Sequence, residues 1–140
     1  MKIREMYVLL GSVRNLRKKE ARLREQIEDL RFSLLPSGIT YDKEKVQTSP
    51  EDATLNTFAR LDELEGELRQ IVVKLYSARV AITNRALILP PKERQVILRY
   101  YVDCWTIARV SDELKVTDRH VFRLRENAVS MLCKIGESET

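Results

Sequence analysis

The residues whose types and spacing could carry out chemistry lie in the short segment from Thr117 to Arg123. Arg119 and Arg123 are four positions apart, so on a helix they share one face. Each guanidinium could donate two hydrogen bonds to a guanine or contact a phosphate, and the simpler alternative is a solvated surface pair. Asp118 could accept a hydrogen bond from the amino group of cytosine, or it could simply complement the dipole at a helix start.

Two further side chains of this segment have less specific interpretations. His120 is the only histidine, and we interpret it as a neutral donor to phosphate or as an inert surface residue, because no second ligand has metal-site spacing. Phe122 could contact the methyl group of thymine or a protein partner, with neither favoured. The predicted DNA-binding residues are therefore Thr117, Asp118, Arg119, His120, Phe122 and Arg123.

The sequence contains no recognisable catalytic, cofactor-binding or metal-binding pattern. Neither Cys104 nor Cys133 has a nearby histidine that would make it a thiolate nucleophile, and no glycine-rich phosphate loop is present. The carboxylates are mixed with lysine and arginine rather than set among apolar residues. We therefore expect a protein that is not an enzyme and holds no cofactor or metal. The two cysteines are interpreted as small buried or half-buried hydrophobic residues, which suits a reducing compartment.

Three short helices that follow Pro90 and Pro91 are predicted to position the segment. They span residues 92–102, 106–114 and 118–135, and Gly136 is expected to close the last one. The pattern is typical of a compact trihelical unit that contains a helix-turn-helix. Lys115 lies in the turn, where a left-handed backbone would cost a residue with a side chain about 1–2 kcal/mol.

Apolar residues predict how the second and third of these helices pack. Small residues at Ala108 and Ser111 would allow the two helices to approach closely, and Thr117 is the predicted N-cap of the third helix. Trp105 and one of two tyrosines are expected to close the small core. The predicted apolar faces consist of Ile107, Val110 and Leu114 on one helix and Val121, Leu124, Ala128 and Leu132 on the next, and the two tyrosines are Tyr100 and Tyr101.

The first 89 residues are predicted to form two long helices. Apolar residues recur at alternating steps of four and three from Leu9 to Leu34 and again from Leu61 to Leu89, with one charged interruption in each series. The first helix is predicted to end near Ser33. A period near 3.5 produces a left-handed seam, which favours an antiparallel, coiled-coil-like hairpin within one chain. A dimer or four-helix bundle formed between chains is the alternative.

The segment that joins the two long helices is predicted to be a linker near residues 35–49, to which no role is assigned. Ser49 can cap the second helix, and Pro50 suits its first turn. A dense basic stretch runs from Arg14 to Arg24 on the first helix. We interpret it as a solvated face, with contact to nucleic acid as the alternative.

These elements define an all-α fold of two parts: the long hairpin at residues 1–89 and the compact three-helix domain at residues 90–136. Only eight of the 140 residues are glycine or proline and 33% are charged, which favours long helices over sheets. The net charge of +4 is a mild bias towards anionic partners. No stretch approaches the roughly 20 apolar residues that span a bilayer. We therefore expect a soluble, cytoplasmic protein that does not bind membranes.

Residues 91–100 read PKERQVILRY and are followed by Ile107 to Thr117 and then Val121 to Leu132. With these segments in this order, the last third of the chain resembles region four of bacterial sigma factors. Together with the helical N-terminal part, this arrangement is similar to small phage and prophage proteins that are usually treated as regulators of late genes. The family pattern usually has an arginine at the positions of Asp118 and Phe122, and often a glycine at the position of Lys115.

The resemblance implies a phage-type transcriptional regulator in the cytoplasm of a bacterial host. It would bind double-stranded DNA with the helix that starts at Asp118, while the N-terminal helices form a homodimer or bind RNA polymerase. One alternative is a packaging protein like a small terminase subunit, whose long helices would build a ring. Another is a protein-only adaptor that binds RNA polymerase or an anti-sigma partner.

Overall fold

The computed structural model describes residues 2–35 and 50–138, where all regular structure is helical. No strand occurs in this part of the chain, which confirms the predicted all-α class. The predicted linker, apart from Leu35, and the predicted cap at Ser49 lie outside the described residues. The elements are α1 (Ile3–Ser33), α2 (Pro50–Ala86), α3 (Pro91–Ile97), a π-helical turn (Leu98–Val102), α4 (Ile107–Leu114) and α5 (Asp118–Ser138).

The two long helices follow the predicted apolar seams. Every predicted seam position is buried or half-buried, including the charged interruptions Glu20 and Arg85. Helix α1 ends at Ser33, as predicted, and α2 ends at Ala86 rather than continuing to Leu89. The early end has a local cause, because the prolines that follow Leu89 disfavour helical backbone in the residues before them.

The chain divides into two compact units, one formed by Lys18–Val73 and the other by Met1–Arg17 together with Lys74–Thr140. We refer to them as the hairpin unit and the terminal unit. In the hairpin unit, Ile27 packs with Leu61 and Leu64, and Arg31 donates a 2.7 Å hydrogen bond to Glu65. The two helical segments of this hairpin run antiparallel, because residues 19–26 of α1 line a groove with residues 67–71 of α2, whereas residues 24–31 line another with residues 65–68.

The terminal unit has a core to which both ends of the sequence contribute. Met6, Leu10 and Val13 are fully buried there beside the end of α2. The chain passes from one unit to the other between Arg17 and Lys18 and between Val73 and Lys74, whereas the sequence predicted a boundary between residues 89 and 90. Cys133 is buried and Cys104 half-buried, both as free thiols, as predicted. The core also contains Leu75, Ile82, Ala86, Leu89, Ile97, Tyr101, Ala128, Val129 and Leu132.

The first of the three predicted short helices is composite. Helix α3 begins with Pro91 at its first position and gives way at Leu98 to a π-helical turn, in which the N–H of Asp103 donates to the carbonyl of Leu98 at 2.9 Å. A π-helical turn widens the ladder and removes its last carbonyls from their usual partners. The chain then passes through Cys104, which has a φ of 59°.

Arg14 supplies partners for carbonyls at this point. Its Nη2 donates to the carbonyl of Tyr100 and to that of Trp105, each at 2.9 Å, and its guanidinium lies 4.3 Å from the centre of the Tyr100 ring. Arg14 therefore joins the start of the chain to the turn before α4. The interpretation of residues 14–24 as a solvated face is wrong for Arg14, which is half-buried.

The last two helices lie close to their predicted positions. Helix α4 starts one residue after the predicted Thr106 and ends at Leu114 as predicted, and α5 starts at Asp118 as predicted. The prediction that Gly136 closes the last helix is wrong, because α5 continues to Ser138. None of the helices in residues 2–35 and 50–138 combines the length and apolar character needed to cross a bilayer.

Candidate nucleic-acid interface

The candidate interface is built on α4 and α5 and begins with the way α4 is fixed in place. Thr106 caps the helix, since its Oγ1 accepts a 3.1 Å hydrogen bond from the N–H of Arg109. Val110 and Ser111 are buried, and the Ser111 hydroxyl donates to the carbonyl of Ala108 at 2.8 Å. Ala108 itself is exposed, so its predicted role in close helix approach is wrong: it is rotated away from the face that carries Val110.

The turn between α4 and α5 is closed by hydrogen bonds on both sides. Lys115 has a left-handed backbone with φ 57° and ψ 44°, and its N–H donates to the carbonyl of Asp112 at 3.3 Å. The N–H of Val116 donates to the carbonyl of Ser111 at 3.1 Å. These two bonds form a Schellman motif, the arrangement that normally favours glycine at the left-handed position.

Thr117 completes the turn as the cap of α5. Its Oγ1 accepts a 3.1 Å hydrogen bond from the N–H of His120, which confirms the predicted cap. The backbone groups at both ends of this turn are hydrogen-bonded. The turn therefore holds the first turn of α5 in a defined direction relative to α4. The site residues are therefore positioned by backbone geometry rather than by bonds among themselves.

A small apolar core lies under the turn. Val96, Val110, Val121 and Leu124 are buried together, joining α3, α4 and α5. Trp105 and Tyr100 pack against this cluster, whereas Tyr101 belongs to the larger core of the terminal unit. The prediction that Trp105 and one tyrosine close the small core is thus confirmed. The apolar faces predicted for α4 and α5 are also confirmed, with Ile107 and Leu114 half-buried and Ala128 and Leu132 buried.

The outer face of α5 presents two of the predicted residues side by side. Arg119 and Arg123 are exposed on successive turns, and within the described residues neither side chain has a hydrogen bond or ion pair. Two guanidiniums one turn apart provide ten N–H donors, about 6 Å apart at their bases, for a polyanionic surface. Lys115 is also exposed at the start of this face. The arrangement suits adjacent phosphates or base edges.

The other predicted residues lie around this pair. Asp118 is exposed in the first turn of α5, and His120 is half-buried. Thr117 is exposed, but its hydroxyl is engaged in capping. Phe122 is 41% exposed, and the Arg125 guanidinium lies 5.1 Å from its ring centre. The structure therefore brings the six predicted residues to one end of α5, with the arginine pair on its outer face.

Two arginines that the sequence analysis did not single out border the site. Arg125 stacks between Phe122 and Tyr100, at 5.1 and 5.3 Å from the ring centres, and its Nε is buried with no hydrogen-bond partner. Arg109 is exposed at the start of α4 and lies 3.9 Å from the ring centre of Trp105. Trp105 lies just before α4 and Arg109 lies in its first turn, so their closeness across the helix start is a signal that could have predicted this stacking.

The exposed groups of this site can bind an anionic partner through charge and hydrogen bonds. Helix α5 carries three arginines between Asp118 and Arg125 against one aspartate, so its first two turns are basic. In residues 2–35 and 50–138, no three or more histidine, cysteine, aspartate and glutamate side chains lie together in a way that could hold a metal ion.

Comparison of the chain with protein-family models, with curated proteins and with solved structures found no match. The interpretation of this surface therefore depends on its residues and their geometry.

Proposed function

We propose that this protein is a DNA-binding transcriptional regulator of phage type that acts in a bacterial host cell. Helix α5 enters the major groove with Asp118 to Arg123, and Arg119 and Arg123 contact bases or phosphates. The observation that carries the proposal is the closed turn at Lys115–Thr117, which directs an exposed arginine pair outward from a packed helix-turn-helix. The likeness of residues 91–132 to sigma region four supports the same assignment and suggests RNA polymerase as a further partner.

A second candidate function is that of a protein-only adaptor, and one observation favours it. Phe122 is 41% exposed at the centre of the candidate site, where an apolar ring suits a protein surface as well as a thymine methyl. In that case the binding of RNA polymerase or an anti-sigma partner depends on Phe122 and does not depend on Arg119 and Arg123.

The test is a fluorescence anisotropy titration of the full chain against DNA fragments from the neighbourhood of its own gene, at two salt concentrations. The variant Arg119→Ala/Arg123→Ala is measured beside wild type. If each arginine makes a base contact, the double variant should lose about 30-fold or more of the affinity for the preferred fragment. Wild-type binding should also weaken steeply with salt, because phosphate contacts release counterions.

A matched control keeps this test specific. Lys18→Ala/Arg22→Ala removes the same charge at the same spacing of four from α1, where both side chains are exposed. We expect this control to weaken binding to all fragments by a similar small factor and to preserve the preference. Equal loss in both double variants would show general electrostatic attraction and would refute recognition by α5. Weak binding to every fragment, unchanged by Arg119→Ala/Arg123→Ala, would favour the adaptor.

A further inference from the structure

The end of α2 within the terminal unit carries an apolar face that no part of the described chain covers. Tyr76 is 70% exposed, Val80 39% and Leu87, one residue beyond the helix, 60%. They lie on the side of α2 away from the buried Leu75 and Ile82. With Thr83, these residues follow steps of four, three and four, which is the spacing of a helix-packing seam. We call Tyr76, Val80, Thr83 and Leu87 the α2 stripe.

The α2 stripe differs in character from a solvated helix face. It contains no charged residue, and its exposed neighbours on one flank, Ser77 and Asn84, are also uncharged, whereas the half-buried Arg79 borders it on the other flank. At the heptad positions that precede Tyr76 in the same helix, the residues are Arg69 and Asp62, as expected for a face in water. Depletion of charge around exposed aromatic and aliphatic side chains is typical of the core of a protein interface.

A groove opens beside the α2 stripe at Thr83. Its volume is about 420 Å³. Its apolar walls come from α3 and the π-helical turn, and polar groups stand among them. The groove can therefore accept a side chain that is apolar along its length and polar at its tip. The apolar lining of the groove comprises Pro91, Leu98 and Val102, and its polar lining comprises Thr83, Arg94, Gln95 and the ion pair Arg99–Asp103.

We propose that the α2 stripe binds a second copy of this chain, with Tyr76 of each copy inserted into the groove beside Thr83 of the other. Tyr76 and Thr83 are seven residues apart, so the protruding ring and the groove are about 10 Å apart along the same face. Antiparallel pairing of two α2 helices about Val80 matches each ring with the opposite groove. The contact is then the same on both copies, as a two-fold dimer requires.

Shape and chemistry favour this occupant. The phenol of Tyr76 combines an apolar ring with one hydroxyl, which matches apolar walls that carry arginine and glutamine donors. Parallel pairing would set Tyr76 against its own copy and leave both grooves empty. The exposed stripe offers on the order of a few hundred Å² per copy, which is below the area of stable interfaces and typical of weak, transient complexes, so the dimer should dissociate in the micromolar range.

Sedimentation equilibrium of the full chain tests the proposal. Wild type should shift from monomer to dimer over about 1–100 µM, and Tyr76→Ala should raise the dissociation constant about 30-fold or more, as expected for a buried aromatic anchor. Val8→Ala is the matched control, because Val8 is an apolar residue of the same unit that is 69% exposed on α1. A wild-type chain that stays monomeric, or a Tyr76→Ala variant that dimerises like Val8→Ala, would overturn the proposal.

Disulfide trapping tests the orientation in a Cys104→Ser background. Val80→Cys lies on the two-fold axis and should crosslink with itself under mild oxidation. Thr83→Cys keeps the Tyr76 anchor but places its two thiols about 10 Å apart, beyond disulfide reach, so it should not crosslink alone. A mixture of Thr83→Cys with Tyr76→Cys should crosslink as a heterodimer, which retains one intact ring-in-groove contact.

Failure of Val80→Cys to crosslink, or self-crosslinking by Thr83→Cys, would contradict the antiparallel arrangement. The proposal does not depend on DNA binding. A monomeric protein that still loses DNA affinity with Arg119→Ala/Arg123→Ala would therefore refute the dimer alone.

Discussion

Arg14 provides the strongest single prediction about stability. Its Nη2 donates to two carbonyl groups, of Tyr100 and Trp105, that are 86 and 91 residues away in the sequence. Replacement by alanine removes both bonds and leaves two carbonyls of an irregular segment without this partner. We expect Arg14→Ala to lower the free energy of unfolding by about 3 kcal/mol.

The magnitude follows from two contributions that add to the loss and two that reduce it. A hydrogen bond from a charged donor contributes about 1.5–3 kcal/mol, and stacking on the Tyr100 ring adds about 0.5–1 kcal/mol. Two features reduce this total. The side chain is half-buried, so water can solvate the carbonyls that lose their donor. The Nε of Arg14 is buried without a hydrogen-bond partner, and alanine removes this unfavourable group. Arg14→Lys retains the charge but loses the planar guanidinium that stacks on Tyr100, so it should lose about half as much.

Urea denaturation followed by the fluorescence of Trp105, the only tryptophan, measures the effect beside the affected carbonyls. Arg17→Ala is the matched control, one turn further along α1, where the side chain is exposed. The control should change the free energy of unfolding by no more than about 0.5 kcal/mol. An Arg14→Ala variant as stable as Arg17→Ala would refute the reasoning that this guanidinium holds the turn before α4.

Three further predictions concern single residues of the terminal unit. Lys115→Gly should raise the free energy of unfolding by about 1 kcal/mol, because glycine relieves the left-handed backbone at φ 57°, whereas Lys115→Ala should leave it unchanged in the same urea assay. Thr117→Ala should cost about 1 kcal/mol by removing the cap of α5, and Thr117→Ser should restore most of it. Burial raises the pKa of Tyr101 to about 12, so the protonated phenol stabilises the fold fully below pH 10. That contribution of about 2–3 kcal/mol is lost as the pH rises from 10 to 12. When the free energy of unfolding is measured from pH 10 to 12, Tyr101→Phe should not show this loss, whereas Tyr76→Phe should show the same loss as wild type.

Local signals in the sequence were sufficient for most of the helix boundaries. Apolar periodicity located α1 and α2, and the threonine before Asp118 located the start of α5, because capping and seams depend on residues within a few positions. The end of α2 was misplaced because the effect of Pro90 and Pro91 extends back along the chain. Gly136 failed as a stop signal because glycine lowers helix stability without forbidding helical backbone.

Long-range contacts were beyond the reach of periodicity. Arg14 looked like one of many basic surface residues, since nothing near it in the sequence shows that two carbonyls will lie within its reach. The π-helical turn that places those carbonyls also appeared only in the structure. At the candidate site, the outward pair Arg119 and Arg123 followed from helical spacing. The contact of Arg125 with Tyr100 was missed because Tyr100 lies 25 positions away, although Phe122, its other stacking partner, is only three positions away.

The discontinuity of the terminal unit determines the order in which the chain can fold during synthesis. Met6, Leu10 and Val13 leave the ribosome long before Val129 and Leu132, with which they share the core. The hairpin unit closes over a much shorter loop and can form while synthesis continues, since loop closure costs less for shorter loops. Until the last helix emerges, the apolar start of α1 has no such cover, and a nascent chain stalled before α5 should be a substrate for chaperones.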